Sequence, residues 1–273
     1  MTEDFSGKTV IVTGAGRGVG RGIAKSFAAA GANVMLGART ISYGEEVKAE
    51  ILAAGLNGEC FEADIARHDD CRALVDATVE AFGTVDIIVH AAADIPHGGV
   101  GHVDDEQLEA GFASIAKAAW WLLDAARPHL GKARDGGRFI AIGSVNGTFN
   151  VVPNMTAYGM AKAALDAFIR AAAGDVVSER ITVNAINPGL LASDRAKAVL
   201  GEEGLAAYGS TVPVGRAGTP EDIAHACLFL ASAKSDYITG TSIKMDGGST
   251  VAAPPGRNDI LQDRLRLQRD GAS

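Results

Sequence analysis

This sequence has few cysteines and few aromatic residues. It also lacks long apolar runs and an excess of positive charge. Only three cysteines occur, Cys60, Cys71 and Cys227, and their spacing fits neither a disulfide scaffold nor a zinc site. No stretch reaches the roughly eighteen apolar residues of a membrane-spanning helix. The net charge of −8 disfavours nucleic acid as a partner. These absences predict a cytoplasmic globular protein that binds no metal, nucleic acid or membrane.

Glycine and short apolar segments are what the sequence has in abundance. Seven short apolar runs, such as 85–90, alternate with helical patterns along the 273 residues. Apolar runs without polar alternation are typical of parallel strands that are covered on both faces. We therefore predict one α/β domain over 1–250. Within it we expect a single long helix over 104–130 and a loose segment over 188–219.

The residues after this domain, 251–273, differ in composition. They combine prolines with charges of both signs, and a few leucines give them a weak helical pattern. This composition is typical of a mobile terminus. The alternative is an arm that lies on another subunit or over the active site.

A glycine-rich turn follows the first predicted strand. Gly14, Gly18 and Gly20 have the spacing G-x-x-x-G-x-G and precede an apolar helical pattern. Glycine allows the backbone to approach a pyrophosphate, and the amides at a helix N-terminus face such an anion. The turn predicts a dinucleotide site, and the alternative is a capping turn that binds nothing.

The end of the second predicted strand indicates which dinucleotide binds. An acidic residue there would suit the free 2′-hydroxyl of NAD, but the strand ends at Arg39. Arg39, together with Arg17 in the glycine turn, could pair with a 2′-phosphate, so we predict NADP(H). In the alternative, Arg39 only stacks on adenine and NAD is used. Asp64 is placed either to bind the adenine amino group or to be an ordinary surface residue.

Three further residues have the chemistry for moving a proton. Tyr158 and Lys162 are four residues apart in a helical pattern and so share a helix face. A nearby ammonium favours the phenolate and lowers the pKa of the tyrosine, which can then exchange a proton with an alcohol oxygen. Ser144 follows a predicted strand, where its hydroxyl could hold the same oxygen.

In this order and spacing, the motifs resemble those of the short-chain dehydrogenase/reductase family over roughly residues 5–250. The resemblance implies a Rossmann fold, with a seven-stranded parallel, doubly wound sheet and helices on both faces. It implies hydride transfer between a nicotinamide and an alcohol or ketone. It rests on the glycine turn, Asp64, Ser144, Tyr158 with Lys162, the Asn-Pro-Gly at 187–189 and the Met-Asp-Gly-Gly at 245–248.

The resemblance also implies a role for each catalytic residue. Tyr158 would be the general acid/base, Lys162 would lower its pKa and bind the nicotinamide ribose, and Ser144 would polarise the substrate oxygen. The cofactor-binding residues expected from the motifs and the resemblance together are Gly14, Arg17, Gly18, Val19, Gly20, Arg39, Asp64, Ile65, His90, Ala91, Ala92, Tyr158, Lys162, Pro188, Gly189, Leu191 and Ser193.

The sequence departs from the family pattern at two places. After the fourth strand the family usually has Asn-Ala-Gly, whereas this chain has His90 followed by three alanines. His90 could still contact the cofactor ribose. The long helix usually carries an asparagine that anchors a water relay to the lysine, and here that position is Ile115, beside Ser114. Either Ser114 or the backbone would have to hold that water.

The substrate is indicated only as a class. The predicted lid, 190–213, and the segment between Ser144 and Tyr158 are mainly apolar on the faces expected to line the pocket. We therefore expect a cyclic or hydrophobic secondary alcohol or ketone, and by resemblance a homotetramer. The alternatives are an NAD-dependent alcohol dehydrogenase of the same family and a dinucleotide-binding scaffold without catalysis.

Overall fold

The structure is a computed structural model and describes residues 3–252, apart from the side chain at position 195. Of the tail expected at 251–273, residues 253–273 therefore lie outside the described part.

A single sheet of seven parallel strands, in the order β3-β2-β1-β4-β5-β6-β7, organises the chain. This confirms the predicted Rossmann sheet. The strand order changes direction between β1 and β4, and open α/β sheets bind ligands at the carboxyl ends of strands at such a point. The strands are β1 Thr9–Thr13, β2 Asn33–Ala38, β3 Gly58–Glu62, β4 Ile87–His90, β5 Gly137–Ile142, β6 Ile181–Pro188 and β7 Ser242–Met245.

Helices cover both faces of this sheet, because alternate strand residues point into two separate cores. Val10 and Val12 pack with α1, α2 and α8, whereas Ile11 packs with α3, α5 and α6. The strands are buried on both sides, and so their sequences show no polar alternation. The helices are α1 Gly18–Ala29, α2 Ile41–Ala53, α3 His68–Phe82, α4 Asp105–Phe112, α5 Ala118–Leu130, α6 Thr156–Val176, α7 Asp194–Thr211 and α8 Pro220–Ala231.

Two predicted elements differ from the structure. The helix expected over 104–130 is interrupted by a π-helical turn, Ala113–Lys117, which separates α4 from α5. The segment expected to be loose contains α7. Its helix begins where the Ser193 hydroxyl accepts a hydrogen bond from the Ala196 amide, and it breaks at Gly201, whose φ is 68°. The cap and the glycine break explain two short helical pieces in place of a loop.

Candidate active site

The glycine turn packs tightly against the segment that follows β4, and it leaves open space at Gly18, the first residue of α1. A Cβ at Gly14 would lie 2.9 Å from the Ala92 Cα, and a Cβ at Gly20 would collide with the Gly14 carbonyl. Gly18 has a φ of +54°, and no atom lies within 4 Å of where its Cβ would be. A side chain at Gly18 would therefore point into space that a bound group can use. The turn fits the pyrophosphate of a dinucleotide.

A cavity of about 960 Å³ runs along the carboxyl ends of the strands, from the glycine turn to α6 and the start of α7. This is large enough for a nucleotide cofactor. Sequence reasoning missed Tyr43 and Asp94, which also line it, as does Ser114, named above only as a possible holder of the relay water. The predicted site residues on its wall are Gly14, Arg17, Gly18, Val19, Gly20, Arg39, Asp64, Ile65, Ala91, Ala92, Ser144, Tyr158, Lys162, Pro188, Gly189, Leu191 and Ser193.

His90 is the predicted site residue that is not on this wall. Its side chain is 1 % exposed, and both ring nitrogens bond within the protein. The Thr13 hydroxyl accepts from the Ala91 and Ala92 amides at 3.1 and 3.2 Å, so its own proton goes to His90 Nδ1, 3.0 Å away. His90 Nε2 then donates to the Ile115 carbonyl at 3.1 Å.

This network assigns a neutral His90 with its proton on Nε2. Burial, and secondarily the charge of Lys162, lower the pKa of His90 to about 4. The ring lies behind the cavity wall and links β1, β4 and the π-helical turn. The expected contact between His90 and the cofactor remains a prediction. The ring also donates to the Ile115 carbonyl, which is part of the backbone expected as one of the two possible holders of the relay water.

The predicted catalytic side chains converge at the other end of the cavity. Ser144 follows β5, and its hydroxyl accepts a hydrogen bond from the Asn146 amide at 3.1 Å. Tyr158 and Lys162 lie one turn apart on α6, with the Lys162 ammonium 5.6 Å from the centre of the Tyr158 ring. Lys162 Nζ donates to the Ile142 carbonyl at 2.6 Å, and burial lowers the pKa of Lys162 to about 7.

The two predicted arginines have different partners at the adenosine end. Arg39 Nη1 donates to both carboxylate oxygens of Asp94, at 2.9 and 3.0 Å. The Arg17 guanidinium lies over the Tyr43 ring, 3.4 Å from its centre. Such stacking is favourable and leaves the edge of the guanidinium available for hydrogen bonds.

A buried carboxylate on α6 supports the carboxyl end of β6. Asp166 is one turn beyond Lys162, and it accepts hydrogen bonds from Asn187 Nδ2 at 3.2 Å and from the Ser242 hydroxyl. Arg170 lies 3.5 Å from its second oxygen. Asp166 thus joins the catalytic helix to the ends of β6 and β7. Its spacing from Lys162 was visible in the sequence, but its partners are far away along the chain.

Residues 3–252 contain neither a cluster of metal-binding side chains nor a membrane-spanning helix. No group of three His, Cys, Asp or Glu side chains is arranged to hold a metal ion in that part of the chain. No helix there is both long enough and apolar enough to cross a bilayer.

Known proteins resemble the chain over most of its length. Residues 14–250 match the sequence model of the family described as Enoyl-(Acyl carrier protein) reductase. Tetrahydroxynaphthalene reductase of Pyricularia oryzae is 32% identical over 92% of each chain. Versicolorin reductase of Emericella nidulans is 33% identical over 90% of this chain and 96% of its own.

Solved structures give the same result. A 7α-hydroxysteroid dehydrogenase in complex with NADH and 7-oxo glycochenodeoxycholic acid has a TM-score of 0.85 and 30% identity, over 92% of this chain and 97% of its own. A short-chain type dehydrogenase/reductase from Mycobacterium marinum has a TM-score of 0.84 and 28% identity, over 91% and 98%. Matches of this extent show that the chain belongs to the short-chain dehydrogenase/reductase family and is an NAD(P)-dependent oxidoreductase.

Proposed function

We propose that the protein reduces a cyclic or hydrophobic ketone, or oxidises the corresponding secondary alcohol, with NADP(H) as cofactor and Tyr158 as general acid/base. The observation that carries the proposal is that Ser144, Tyr158 and Lys162 line the same cavity as the glycine turn. A cofactor held by the turn and a substrate at Tyr158 would therefore share one enclosed space. The intact set of three side chains argues against a scaffold without catalysis.

In the reductive direction, the residues act on the carbonyl oxygen of the substrate. The Ser144 hydroxyl donates a hydrogen bond to that oxygen and polarises the carbonyl. Tyr158 then gives its phenolic proton to the oxygen as the alcohol forms. A bound nicotinamide supplies the hydride to the carbonyl carbon, or accepts it in the reverse direction. In that reverse direction the Tyr158 phenolate takes the alcohol proton.

Lys162 has two functions in this proposal. Its hydrogen bond to the Ile142 carbonyl fixes the ammonium beneath the catalytic end of the cavity. Its other N–H groups can bind the nicotinamide ribose, and its positive charge favours the Tyr158 phenolate. Because burial lowers the pKa of Lys162 to about 7, this charge decreases above neutral pH.

The residues around the cavity would contact successive parts of the proposed cofactor, from adenine to nicotinamide. Asp64 and Ile65 follow β3 and would contact adenine, and the glycine turn would hold the pyrophosphate. Ala91 and Ala92 follow β4 beside that turn. The nicotinamide end would be lined by Pro188, Gly189, Leu191 and Ser193.

NADP(H) is proposed because two guanidinium groups, those of Arg17 and Arg39, line the adenosine end. Guanidinium groups bind phosphate well, and no carboxylate follows directly after β2. The second candidate, an NAD-dependent alcohol dehydrogenase, is favoured by one observation. Arg39 is paired with Asp94, and this pairing reduces the positive charge available to a 2′-phosphate.

Fused-ring ketones are the proposed substrate class. Ile95, Leu191 and Ala198 give the cavity apolar walls, which suit a ring system better than a charged chain. Two of the similar proteins are named for a naphthalene and for versicolorin, and a third was solved with a 7-oxo bile acid. These names support fused-ring compounds as the first to test.

A homotetramer in the cytoplasm is also proposed. Trp120 on α5 is 60 % exposed, and Met160 and Val177 are exposed on and just after α6. Large apolar side chains at the surface are typical of subunit contacts. The three cysteines are free thiols, as is usual in a reducing compartment. A monomeric mass in solution would contradict the tetramer.

Cofactor oxidation in the presence of ketones tests the proposal. The purified protein would be given NADPH or NADH with fused bicyclic ketones, such as tetralone and decalone, and with short open-chain ketones as controls. We expect turnover with NADPH and a fused-ring ketone. Turnover with neither cofactor, despite tight binding of both, would instead support the scaffold without catalysis.

A further inference from the structure

The ion pair between Arg39 and Asp94 bridges the adenosine end of the cavity. Arg39 directly follows β2, Asp94 lies just beyond β4, and β1 with its glycine turn lies between these two strands. Both side chains line the cavity. The pair therefore joins the two sides of the cleft above the turn that would hold the cofactor.

Asp94 is held in position by its backbone as well as by its side chain. Its amide donates to the Ser114 hydroxyl at 3.0 Å, and this bond ties the loop after β4 to the π-helical turn. Its carboxylate receives Arg39 Nη1 on both oxygens, at 2.9 and 3.0 Å. The side chains of Arg39 and Asp94 are 63% and 34% exposed. Water can therefore replace either partner when the pair opens, so opening costs little.

Arg17 provides the contrast. Its neighbour is the uncharged Tyr43 ring, and within residues 3–252 no ion pair of Arg17 is present. Of the two arginines expected at a 2′-phosphate, Arg39 alone has an anionic partner among the described residues. A 2′-phosphate and the Asp94 carboxylate carry charge of the same sign and would compete for the same guanidinium. A free 2′-hydroxyl carries no charge and can donate to a carboxylate.

We propose that Asp94 is a specificity-determining residue of the cofactor site, whose carboxylate competes with a 2′-phosphate for Arg39 and so shifts selectivity toward the non-phosphorylated dinucleotide. This inference rests on the proposed function, because it places the 2′-phosphate at Arg39. In this account Arg17 and Arg39 strengthen the binding of NADPH relative to NADH, and the Asp94 carboxylate weakens it. Asp94 acts through Arg39 and touches the cavity beside it.

The test is a titration of NADPH and NADH by calorimetry against the wild type, Asp94→Asn, Arg39→Ala and the double variant. Glu80→Gln is the matched control, because it removes one negative charge from an exposed site on α3 away from the cavity. Asp94→Ser serves as a second variant should the amide distort the loop. The thermal midpoint of each variant shows that it is folded.

We expect Asp94→Asn to lower the Kd for NADPH about fivefold and to change that for NADH less than about twofold. We expect this gain to vanish when Arg39 is alanine, and Glu80→Gln to leave both constants unchanged. An equal change for the two cofactors, or a selectivity gain that persists without Arg39, would overturn the inference.

The same titrations separate this inference from the proposed function. A wild type that binds NADH more tightly than NADPH would refute the proposed cofactor preference. If Asp94→Asn nevertheless improved NADPH binding through Arg39, the role of Asp94 would stand. The converse result is a wild type that prefers NADPH and an Arg39→Ala variant that does not. If Asp94→Asn then left the selectivity unchanged, only the proposed role of Asp94 would be wrong.

Discussion

Replacing His90 with asparagine removes a buried titratable ring from the network between β1 and the π-helical turn. In the unfolded chain this ring binds a proton near pH 6.5, whereas in the folded chain burial lowers its pKa to about 4. Between these two pH values the unfolded state holds a proton that the folded state excludes. His90 therefore stabilises the fold fully above about pH 6.5, and this contribution is lost as the pH falls toward 4.

The size of the effect follows from the difference between the two pKa values. The drop from 6.5 to about 4 corresponds to about 3 kcal/mol at about 1.4 kcal/mol per unit. That loss applies to the wild type as the pH falls. At pH 8 the His90→Asn variant is the less stable protein, because the shorter amide cannot reach both the Thr13 hydroxyl and the Ile115 carbonyl. A lost hydrogen bond with a buried partner costs about 1–3 kcal/mol. The two proteins should therefore converge in stability as the pH falls.

Urea unfolding of both proteins at a series of pH values from 8 to 4 measures this convergence. The matched control is His225→Asn, which replaces an exposed histidine on α8 by the same residue. Carboxylates titrate alike in all three proteins, so only differences between them matter. Parallel curves for the wild type and His90→Asn would refute the neutral, buried ring.

Three further substitutions test other parts of the account. Gly18→Ala and Gly55→Ala both place a Cβ at positive φ in open space, so each should cost about 1 kcal/mol of stability. Gly18→Ala should in addition weaken NADPH binding about tenfold or more, as measured by calorimetry. Gly55→Ala is the control and should leave NADPH binding unchanged; equal weakening by both variants would contradict the role of the turn. Asp166→Ala should lower the unfolding free energy by about 2–4 kcal/mol, because Asn187 and the Ser242 hydroxyl lose a buried acceptor. An unchanged urea midpoint would contradict that role.

Much of the fold could be predicted because its signals are local. Continuous apolar runs marked strands that are covered on both faces, and the run 85–90 contains β4. The π-helical turn Ala113–Lys117 has no such signal, since its sequence continues the helical pattern on both sides. The helix α7 was expected as a loose segment, and in the structure it is broken by the non-helical backbone of Gly201.

The parts of the candidate site that are formed by short sequence motifs could be predicted. The contacts between residues that are far apart along the chain could not. The glycine turn and the pair Tyr158 and Lys162 are short patterns, and they lie on the cavity wall. Asp94 pairs with Arg39 across 55 residues, and no pattern in either segment indicates the other. His90 was expected at the cofactor because it stands where the family usually has the asparagine of Asn-Ala-Gly. The structure instead gives both of its ring nitrogens partners inside the protein.

The central claim is that Tyr158 transfers the proton in a cavity where other residues provide most of the cofactor binding. The most direct measurement is kcat for reduction of a fused-ring ketone, beside the Kd for NADPH, in the wild type and in Tyr158→Phe. We predict that kcat falls at least about a hundredfold while NADPH binding stays within about twofold. A Tyr158→Phe enzyme that binds NADPH normally and keeps its turnover would contradict the claim.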